Sequence, residues 1–361
     1  MPTNTTHSNL PYPLDTDQIV DYPSVALSMA SLLDVMPGRN AIINGAFDVW
    51  QRGASFANPL TGAYTADRWR LDHDRGAGAS GTISKVANTQ VIGTFTPESV
   101  LQFAGPGGAG APTFQRLAQR IEDARTFSGQ SVTLSYYVQA AAAITLPAIR
   151  VTQNFGSGGS PSAEVITTVA TTISIPTGDL IRNSVTFSMP SVTGKTFGTT
   201  ANTSYVQVAF DFGNLNTFTV KLWGVQLEQR TAPTIFERRH IQQELGLCQR
   251  YYFRTGVGLP ENSMFGNGQC YATNGVVLGI VAPVQMRIVP SVMDLGAVGY
   301  FSVWNSVGSA ITVTAIIYGT AISSEKLMRL DVSVSSGLTA GHVTFMIKNS
   351  AAGYIGFSAE L

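Results

Sequence analysis

The sequence predicts an all-β protein of two β domains, preceded by an N-terminal arm with a short helix. Three observations predict this class. Charged residues make up 12% of the 361 residues, about half of the ~25% that is usual in soluble domains. Short segments of alternating apolar and polar residues recur between turns rich in glycine, proline and asparagine. Only two segments have a helical period, and both are short. We expect the arm and helix over residues 1–38, a β-sandwich over 39–236, a helical connector over 237–252 and a second β domain over 253–361.

Residues 39–236 predict a sandwich because their apolar segments have the period of a half-buried strand. In SYVQVAFDF (204–212), Val206, Val208 and Phe210 face one way and the residues between them face the other way. Strands at this spacing, without long helices between them, are typical of two packed antiparallel sheets. Comparable segments are 131–140, 163–175, 183–189 and 218–228, the last with a bulge predicted at Gly224.

The first 38 residues predict an extended arm followed by a helix. Pro11 and Pro13 favour an extended chain, whereas Pro23 suits a first helical turn and Pro37-Gly38 ends the helix. Apolar side chains at steps of three and four form a seam along this helix: Tyr22, Ala26, Met29, Leu33 and Met36. A helix of about three turns is marginal alone in water. Two interpretations stay open: the seam packs on its own domain, or it joins parallel chains in an oligomer.

A change in the spacing of the apolar residues predicts the connector and the second β domain. Ile241, Leu245 and Cys248 predict an apolar stripe on a connector helix. Beyond it, strand-like segments return at 275–285, 310–319, 329–336, 342–349 and 352–361. Capping of an oligomer and contact with a host are both compatible with this second domain.

Charge and hydropathy argue against two kinds of partner. The net charge is zero, from 22 basic and 22 acidic residues, so no basic surface is expected for nucleic acid. No apolar run approaches the ~18 residues of a membrane span. The N-terminus also lacks the basic and apolar regions of a signal peptide. We therefore predict no nucleic-acid partner, no membrane partner and synthesis in a cytoplasm.

Residues with catalytic or metal-binding chemistry are few and scattered. The four histidines lack metal-ligand spacing, and Cys248 and Cys270 form no Cys-x-x-Cys pair. The run GPGGAGAP lacks the Lys-Ser/Thr of a phosphate loop. Carboxylates such as Asp67, Asp72 and Glu228 show no arrangement typical of a glycosidase. The sequence therefore predicts a protein that is not an enzyme and that needs no catalytic cofactor.

Five motifs in a fixed order resemble a known family. They are IINGAFDVWQRG (42–53), YTADRW (64–69), GVQLE (224–228), TIFE (234–237) and CQRYY (248–252). Together they resemble the carbohydrate-binding-module-like jelly rolls of phage tail-fibre and minor tail proteins, over roughly residues 10–290. TIFE departs from the family's T-P-F-E pattern. The arm is also similar to the opening of tail proteins from phages of actinobacteria.

The resemblance implies a jelly roll in a virion protein that adheres to host-surface glycan. Aromatic rings that stack on a sugar are then the candidate ligand contacts: Trp50, Tyr64 and Trp69, with core packing as the alternative for Trp50 and Trp69. Related jelly rolls often hold a structural calcium ion, for which Asp48 and Glu228 are the candidate ligands.

The seam, the low charge and the resemblance together favour a homotrimer of parallel chains, attached through the N-terminal arm to other virion proteins. Weak glycan contacts repeated on one particle would add up to tight attachment. The resemblance implies location on the virion, as a tail fibre, tail tip or capsid fibre. Two alternatives stay open: an architectural capsid decoration or fibre without sugar binding, and a polysaccharide depolymerase.

Overall fold

The computed structural model describes residues 3–4, 11–12, 38–75, 80–93, 95–108, 112–305 and 308–361. The predicted helix seam of Tyr22, Ala26, Met29, Leu33 and Met36 lies outside the described residues. In the arm, β1 (Thr3–Asn4) pairs with β2 (Pro11–Tyr12) in antiparallel fashion. Across the described parts of the chain, no helix has both the length and the apolar character to span a membrane.

Twelve strands of the described residues form two antiparallel six-stranded sheets. In chain order they are β3 (Ser55–Ala57), β4 (Ala63–Tyr64), β5 (Trp69–His73), β6 (Thr82–Ala87), β7 (Ser99–Ala104), β8 (Gln115–Glu122), β9 (Ser131–Ala140), β10 (Ile144–Asn154), β11 (Val165–Ile175), β12 (Ile181–Ser188), β13 (Tyr205–Asp211) and β14 (Thr219–Glu228). Sheet I has the order β11-β10-β13-β8-β5-β4, and sheet II the order β12-β9-β14-β7-β6-β3. The two sheets form the jelly-roll sandwich, which confirms the predicted fold class.

The core of the sandwich lies between the two sheets. Alternation along β13 places Val206, Val208 and Phe210 in this core, as predicted, together with Trp69 of β5. The predicted bulge is also present, because Gly224 has a φ of 62°. The pairing of β14 with β9 changes register at that point.

The connector contains one helix, α1 (Ile241–Gln249), which begins after His240. The predicted apolar stripe is only partly correct. Cys248 is buried, but Ile241 is 50% exposed. Glu244 is buried in its place, because its carboxylate accepts a hydrogen bond from the backbone N–H of Asn44 and lies 3.4 Å from Arg239.

The C-terminal domain combines a closed barrel with a three-stranded sheet. Its strands are β15 (Tyr252–Thr255), β16 (Met264–Ala272), β17 (Gly275–Val281), β18 (Val292–Leu295), β19 (Phe301–Trp304), β20 (Ala310–Tyr318), β21 (Leu327–Val334), β22 (Val343–Lys348) and β23 (Ile355–Ser358), with 3₁₀ turns at Val298–Tyr300 and Thr320–Ile322. The barrel closes in the order β16-β17-β21-β20-β19-β22, and the sheet has the order β15-β23-β18. One apolar cluster fills the barrel and extends to the sheet through Phe253 and Phe357.

Candidate functional site

Trp69 is a core residue, so its prediction as a sugar-stacking residue is wrong. Its side chain is 0% exposed. Its ring packs on Phe47 at a centroid distance of 5.1 Å and on Phe210 at 6.4 Å. The indole N–H donates to the carbonyl oxygen of Asn44 at 3.1 Å. The alternation of β5 directs Trp69 between the sheets, where no ligand can reach it.

Trp50 and Tyr64 are half-buried and engaged within the protein. The Trp50 indole N–H donates to the carbonyl oxygen of Phe47 at 2.6 Å. The Tyr64 hydroxyl donates to the main-chain oxygen of Leu361 at 2.8 Å, and burial raises the pKa of this phenol. The guanidinium groups of Arg52 and Arg70 lie over the Tyr64 ring at 5.3 and 5.7 Å. The role of Trp50 and Tyr64 as ligand contacts stays a prediction.

Asp48 and Glu228 do not fit a calcium site. Glu228 is fully buried, and its carboxylate accepts hydrogen bonds from the Thr234 backbone N–H at 2.9 Å, the Thr234 hydroxyl at 2.7 Å and Gln226 Nε2 at 2.8 Å. Burial raises the pKa of Asp48, and the charged groups that act on it are Arg238, Lys85 and Glu98, not Glu228. No group of three or more His, Cys, Asp or Glu side chains in the described ranges is placed to hold a metal. The Glu228 oxygens are occupied by protein donors, whereas calcium needs them as ligands.

The sequence motifs IINGAFDVWQRG, YTADRW and CQRYY instead meet in one buried junction between the jelly roll, α1 and the C-terminal domain. Gln51 shows how they interlock. Its side-chain amide donates to Asp67 at 2.6 Å and to the main-chain oxygen of Tyr252 at 2.7 Å. Its backbone N–H also donates to the Asp67 carboxylate at 2.6 Å. Burial raises the pKa of Asp67 despite these bonds.

Two arginines of the motifs bind Glu360, which follows β23. The side chain of Arg68 is 1% exposed and forms an ion pair with Glu360, which is 6% exposed. Arg52 lies 3.3 Å from the same carboxylate. The guanidinium groups of Arg68 and Arg52 stack on Tyr251 at 3.4 Å and on Tyr252 at 3.5 Å. These motif residues therefore build a buried structural junction.

The backbone at this junction is also tightly fitted. Asn44 adopts a φ of 57°, and its side-chain amide donates to the carbonyl oxygens of Val49 at 2.8 Å and Asp67 at 3.0 Å. A Cβ atom on the next residue, Gly45, would lie 2.1 Å from the Val225 carbonyl oxygen. Only glycine can occupy this position without a shift of the backbone.

A different surface, the outer face of sheet I, has the chemistry of a binding site. Its centre is Asp211, whose carboxylate oxygen accepts from Arg150 Nε at 2.6 Å and from Arg116 Nε at 3.0 Å. The arginine side chains are 35% and 29% exposed, and Asp211 is 3% exposed. Among the described residues, no hydrogen bond engages the Nη groups of Arg116. One buried carboxylate thus fixes two partly exposed guanidinium groups.

Neighbouring strands extend this charged face. Arg70 pairs with Asp72 at 2.5 Å on β5, and Arg120 Nε donates to Gln207 at 3.0 Å. The Arg120 guanidinium lies 4.1 Å from the ring centroid of Tyr205. Burial, followed by the positive charge of the nearby Arg70, lowers the pKa of Arg120. We name it the arginine face; it consists of Arg70, Asp72, Arg116, Arg120, Arg150, Tyr205, Gln207 and Asp211.

The arginine face can bind polar ligands with defined geometry. Its four arginines and two aspartates give it a net charge of +2, on a chain whose net charge is zero. Guanidinium groups donate paired hydrogen bonds to carboxylates, phosphates and neighbouring hydroxyls. The sequence prediction missed this face, because its four arginines lie in β5, β8 and β10, outside the segments that were predicted as strands. The pairing of those strands, which brings the arginines together, was not readable from the sequence.

Comparison with known proteins finds similar solved structures over about half of the chain, at low identity and low TM-score. No protein-family model matches the chain, and no curated protein matches it. A CBM4 carbohydrate-binding module is 17% identical with a TM-score of 0.30, covering 52% of this chain and 98% of the module. The CBM22-1 xylan-binding domain from Paenibacillus barcinonensis is 10% identical with a TM-score of 0.30, covering 54% and 97%. The enzymatically active domain of a tailspike protein of bacteriophage CBA120 is 11% identical with a TM-score of 0.30, covering 53% and 21%. By its own sheet topology, the chain belongs to the class of jelly-roll β proteins.

Proposed function

We propose that this protein is a structural adhesion component of a bacteriophage virion, a tail fibre, tail tip or capsid fibre, that binds host-surface glycan through the arginine face. One observation carries the glycan-binding part: two partly exposed guanidinium groups share one buried carboxylate on an open sheet face. The motif resemblance to phage tail proteins supports the virion part. The excess positive charge of the face favours a sugar that carries a carboxylate or phosphate.

The arrangement is suited to binding because its donors are held before a ligand arrives. Asp211 fixes the Nε atoms of Arg116 and Arg150, and Gln207 fixes that of Arg120. Side chains held in this way lose less entropy on binding than free ones. Each face would bind a glycan weakly, and a trimer carried in several copies on a particle would convert weak contacts into tight attachment.

The glycan proposal is tested with the full-length protein on an array of acidic and neutral bacterial surface polysaccharides. The double variant Arg116→Ala/Arg150→Ala should bind acidic glycans about tenfold more weakly, a loss of ~1.4 kcal/mol, and wild type should lose affinity with added salt. The matched control is Arg329→Ala, which removes an arginine of similar exposure from the barrel. Unchanged binding by the double variant, or no glycan binding by wild type, would refute the proposal.

A purely architectural role is the second candidate, and the buried junction favours it. Arg52, Arg68 and Glu360 tie the C-terminal domain to the jelly roll through buried ion pairs, as a rigid particle component requires. A phage that lacks the gene would then lose particle stability while adsorption to the host remained normal. Loss of adsorption from intact particles would instead favour the adhesion role.

The proposed role is binding without catalysis. The charged pairs of the arginine face are arginine–carboxylate pairs, not two facing carboxylates of the kind that cleave glycosidic bonds. Incubation of the protein with a glycan that it binds should release no reducing ends. A time-dependent rise in reducing ends would make it a depolymerase.

A further inference from the structure

The outside of the C-terminal barrel carries an uncharged aromatic and amide surface. Strands β19, β22 and β16 are neighbours in the barrel. Their inward residues, such as Val303, Met346 and Cys270, belong to the core cluster. Alternation therefore directs the residues between them outward. These outward residues form what we name the aromatic strip: Trp304, Phe345, Val343, Asn267 and Gln269.

Strand pairing fixes the geometry of the aromatic strip. The rings of Trp304 and Phe345 stack with centroids 5.6 Å apart and planes inclined by 25°. Phe345 lies opposite Asn267 across the β22–β16 ladder, and Val343 lies opposite Gln269. Val343 is 80% exposed. A flat pair of rings therefore lies beside two amide side chains on one open sheet face.

The strip has features that barrel stability does not explain. Neither Trp304 nor Phe345 belongs to the core cluster or packs against it. The Trp304 indole N–H is buried yet makes no hydrogen bond to any described residue. An unpaired buried N–H costs free energy, so this position is not optimised for the stability of the barrel alone. A stacked aromatic pair outside the core is likewise typical of a binding surface.

The absence of charge identifies the ligand chemistry. Residues 263–286 contain no Asp, Glu, Lys or Arg, and neither do residues 296–324. The one charged residue of β22, Lys348, is buried and donates to main-chain oxygens. Aromatic rings pack against C–H surfaces, while Asn and Gln amides both donate and accept hydrogen bonds. A pyranose chain offers both a C–H face and neutral hydroxyl groups.

We propose that the aromatic strip is a second saccharide-binding site, one for uncharged sugar chains. It is independent of the arginine face, because the two surfaces belong to different domains and differ in charge. The rings of Trp304 and Phe345 carry the sugar, and the amides of Asn267 and Gln269 bond its hydroxyls.

The test uses the full chain and the neutral probes cellohexaose, xylohexaose, maltohexaose and chitohexaose, with trigalacturonate as the acidic probe. Trp304→Ala and Phe345→Ala should each weaken binding of a neutral probe at least about tenfold. Both variants should bind trigalacturonate with the affinity of wild type. Trp304→Phe keeps a smaller aromatic ring and should show an intermediate loss. Ile317→Ala is the matched control, since Ile317 is also an exposed apolar residue of the barrel, at 61%, but lies opposite Asp331.

A second readout follows Trp304 directly. Trp69 and Trp223 are buried, and Trp50 belongs to the jelly roll and donates its indole N–H to Phe47. A neutral probe bound at the strip should therefore change the tryptophan emission of wild type but not that of Trp304→Phe. Binding of neutral probes that Trp304→Ala leaves intact would overturn the proposal, as would a failure of wild type to bind any of the four. Light scattering should give Trp304→Ala the same molar mass as wild type. A different mass would also overturn the proposal, because the strip would then be a contact between copies of the chain. The variant Arg116→Ala/Arg150→Ala should still bind the neutral probes. The two proposed sites can therefore fail independently of each other.

Discussion

Replacing Glu360 with glutamine tests the buried junction, because this substitution keeps the shape of the side chain and removes its charge. Glu360 forms an ion pair with Arg68 and lies 3.3 Å from Arg52. Burial alone would lower the pKa of Arg68, but the Glu360 carboxylate reverses this and raises it above the usual range. The arginines are 1% and 11% exposed, so water cannot replace the lost carboxylate.

The expected cost follows from this burial. Removing one partner of a buried ion pair costs about 3–5 kcal/mol, since the remaining charge stays buried without compensation. Arg68 keeps its stacking on Tyr251 and its hydrogen bond to the main-chain oxygen of Arg120. We therefore expect a loss near the lower end, about 3 kcal/mol.

The assay is urea unfolding followed by circular dichroism and by tryptophan fluorescence. The matched control is Asp331→Asn, which neutralises a pair at 2.9 Å whose side chains are 39% and 28% exposed. This control should lose no more than about 1 kcal/mol, as exposed pairs do. If Glu360→Gln is no more destabilising than the control, the junction does not depend on its buried charges and the reasoning fails.

Three further predictions concern the same framework. Trp69→Ala should destabilise the protein by about 3–5 kcal/mol in urea unfolding, because it empties a core position; a loss below about 1 kcal/mol would contradict the core assignment. Gly45→Ala should cost about 1–3 kcal/mol, because its new Cβ meets the Val225 carbonyl, whereas Gly299→Ala, with open space around it, should be neutral within about 0.5 kcal/mol. Burial raises the pKa of Asp67 above its usual 3.8, so the folded state binds this proton more tightly. The free energy of unfolding should then fall as pH rises from about 3.8 through the raised pKa. This pH dependence should be absent in Asp67→Asn. Parallel pH profiles of wild type and Asp67→Asn would contradict the prediction.

The fold was predictable because its signals are local. Segment 131–140 was predicted as a strand and forms β9 (Ser131–Ala140), and the alternation of Val206, Val208 and Phe210 correctly assigned the inner face of β13. The alternation of apolar and polar residues and the turn residues can both be recognised within a short stretch of sequence. The connector helix was less predictable, since burial of Glu244 depends on a hydrogen bond to Asn44, which is distant in the sequence.

The candidate sites were not predictable because they depend on strand pairing. Trp69 and Trp304 both lie in short alternating strands, yet one is fully buried and the other faces outward. Trp304 meets Phe345 only because β19 pairs with β22. Arg116 and Arg150 meet at Asp211 only because β13 lies between β8 and β10. A shift of one residue in either register would turn these side chains to the opposite face.

The same physics explains why the charged residues of the sequence motifs belong to a buried framework. In a charge-poor chain, a buried charge is costly unless every partner is in place. Arg68 therefore requires Glu360 and Tyr251 together, and a change in any one of them penalises the others. Arg150 must keep its Nε bond to the buried Asp211, but its side chain is 35% exposed, so water can solvate the exposed part when no ligand is bound. The motifs thus stabilise the jelly roll and its junction, while the proposed ligand contacts of the two surfaces are side chains that lie outside the motifs. Ligand specificity in this protein should accordingly change through the arginine face and the aromatic strip, with the junction left intact.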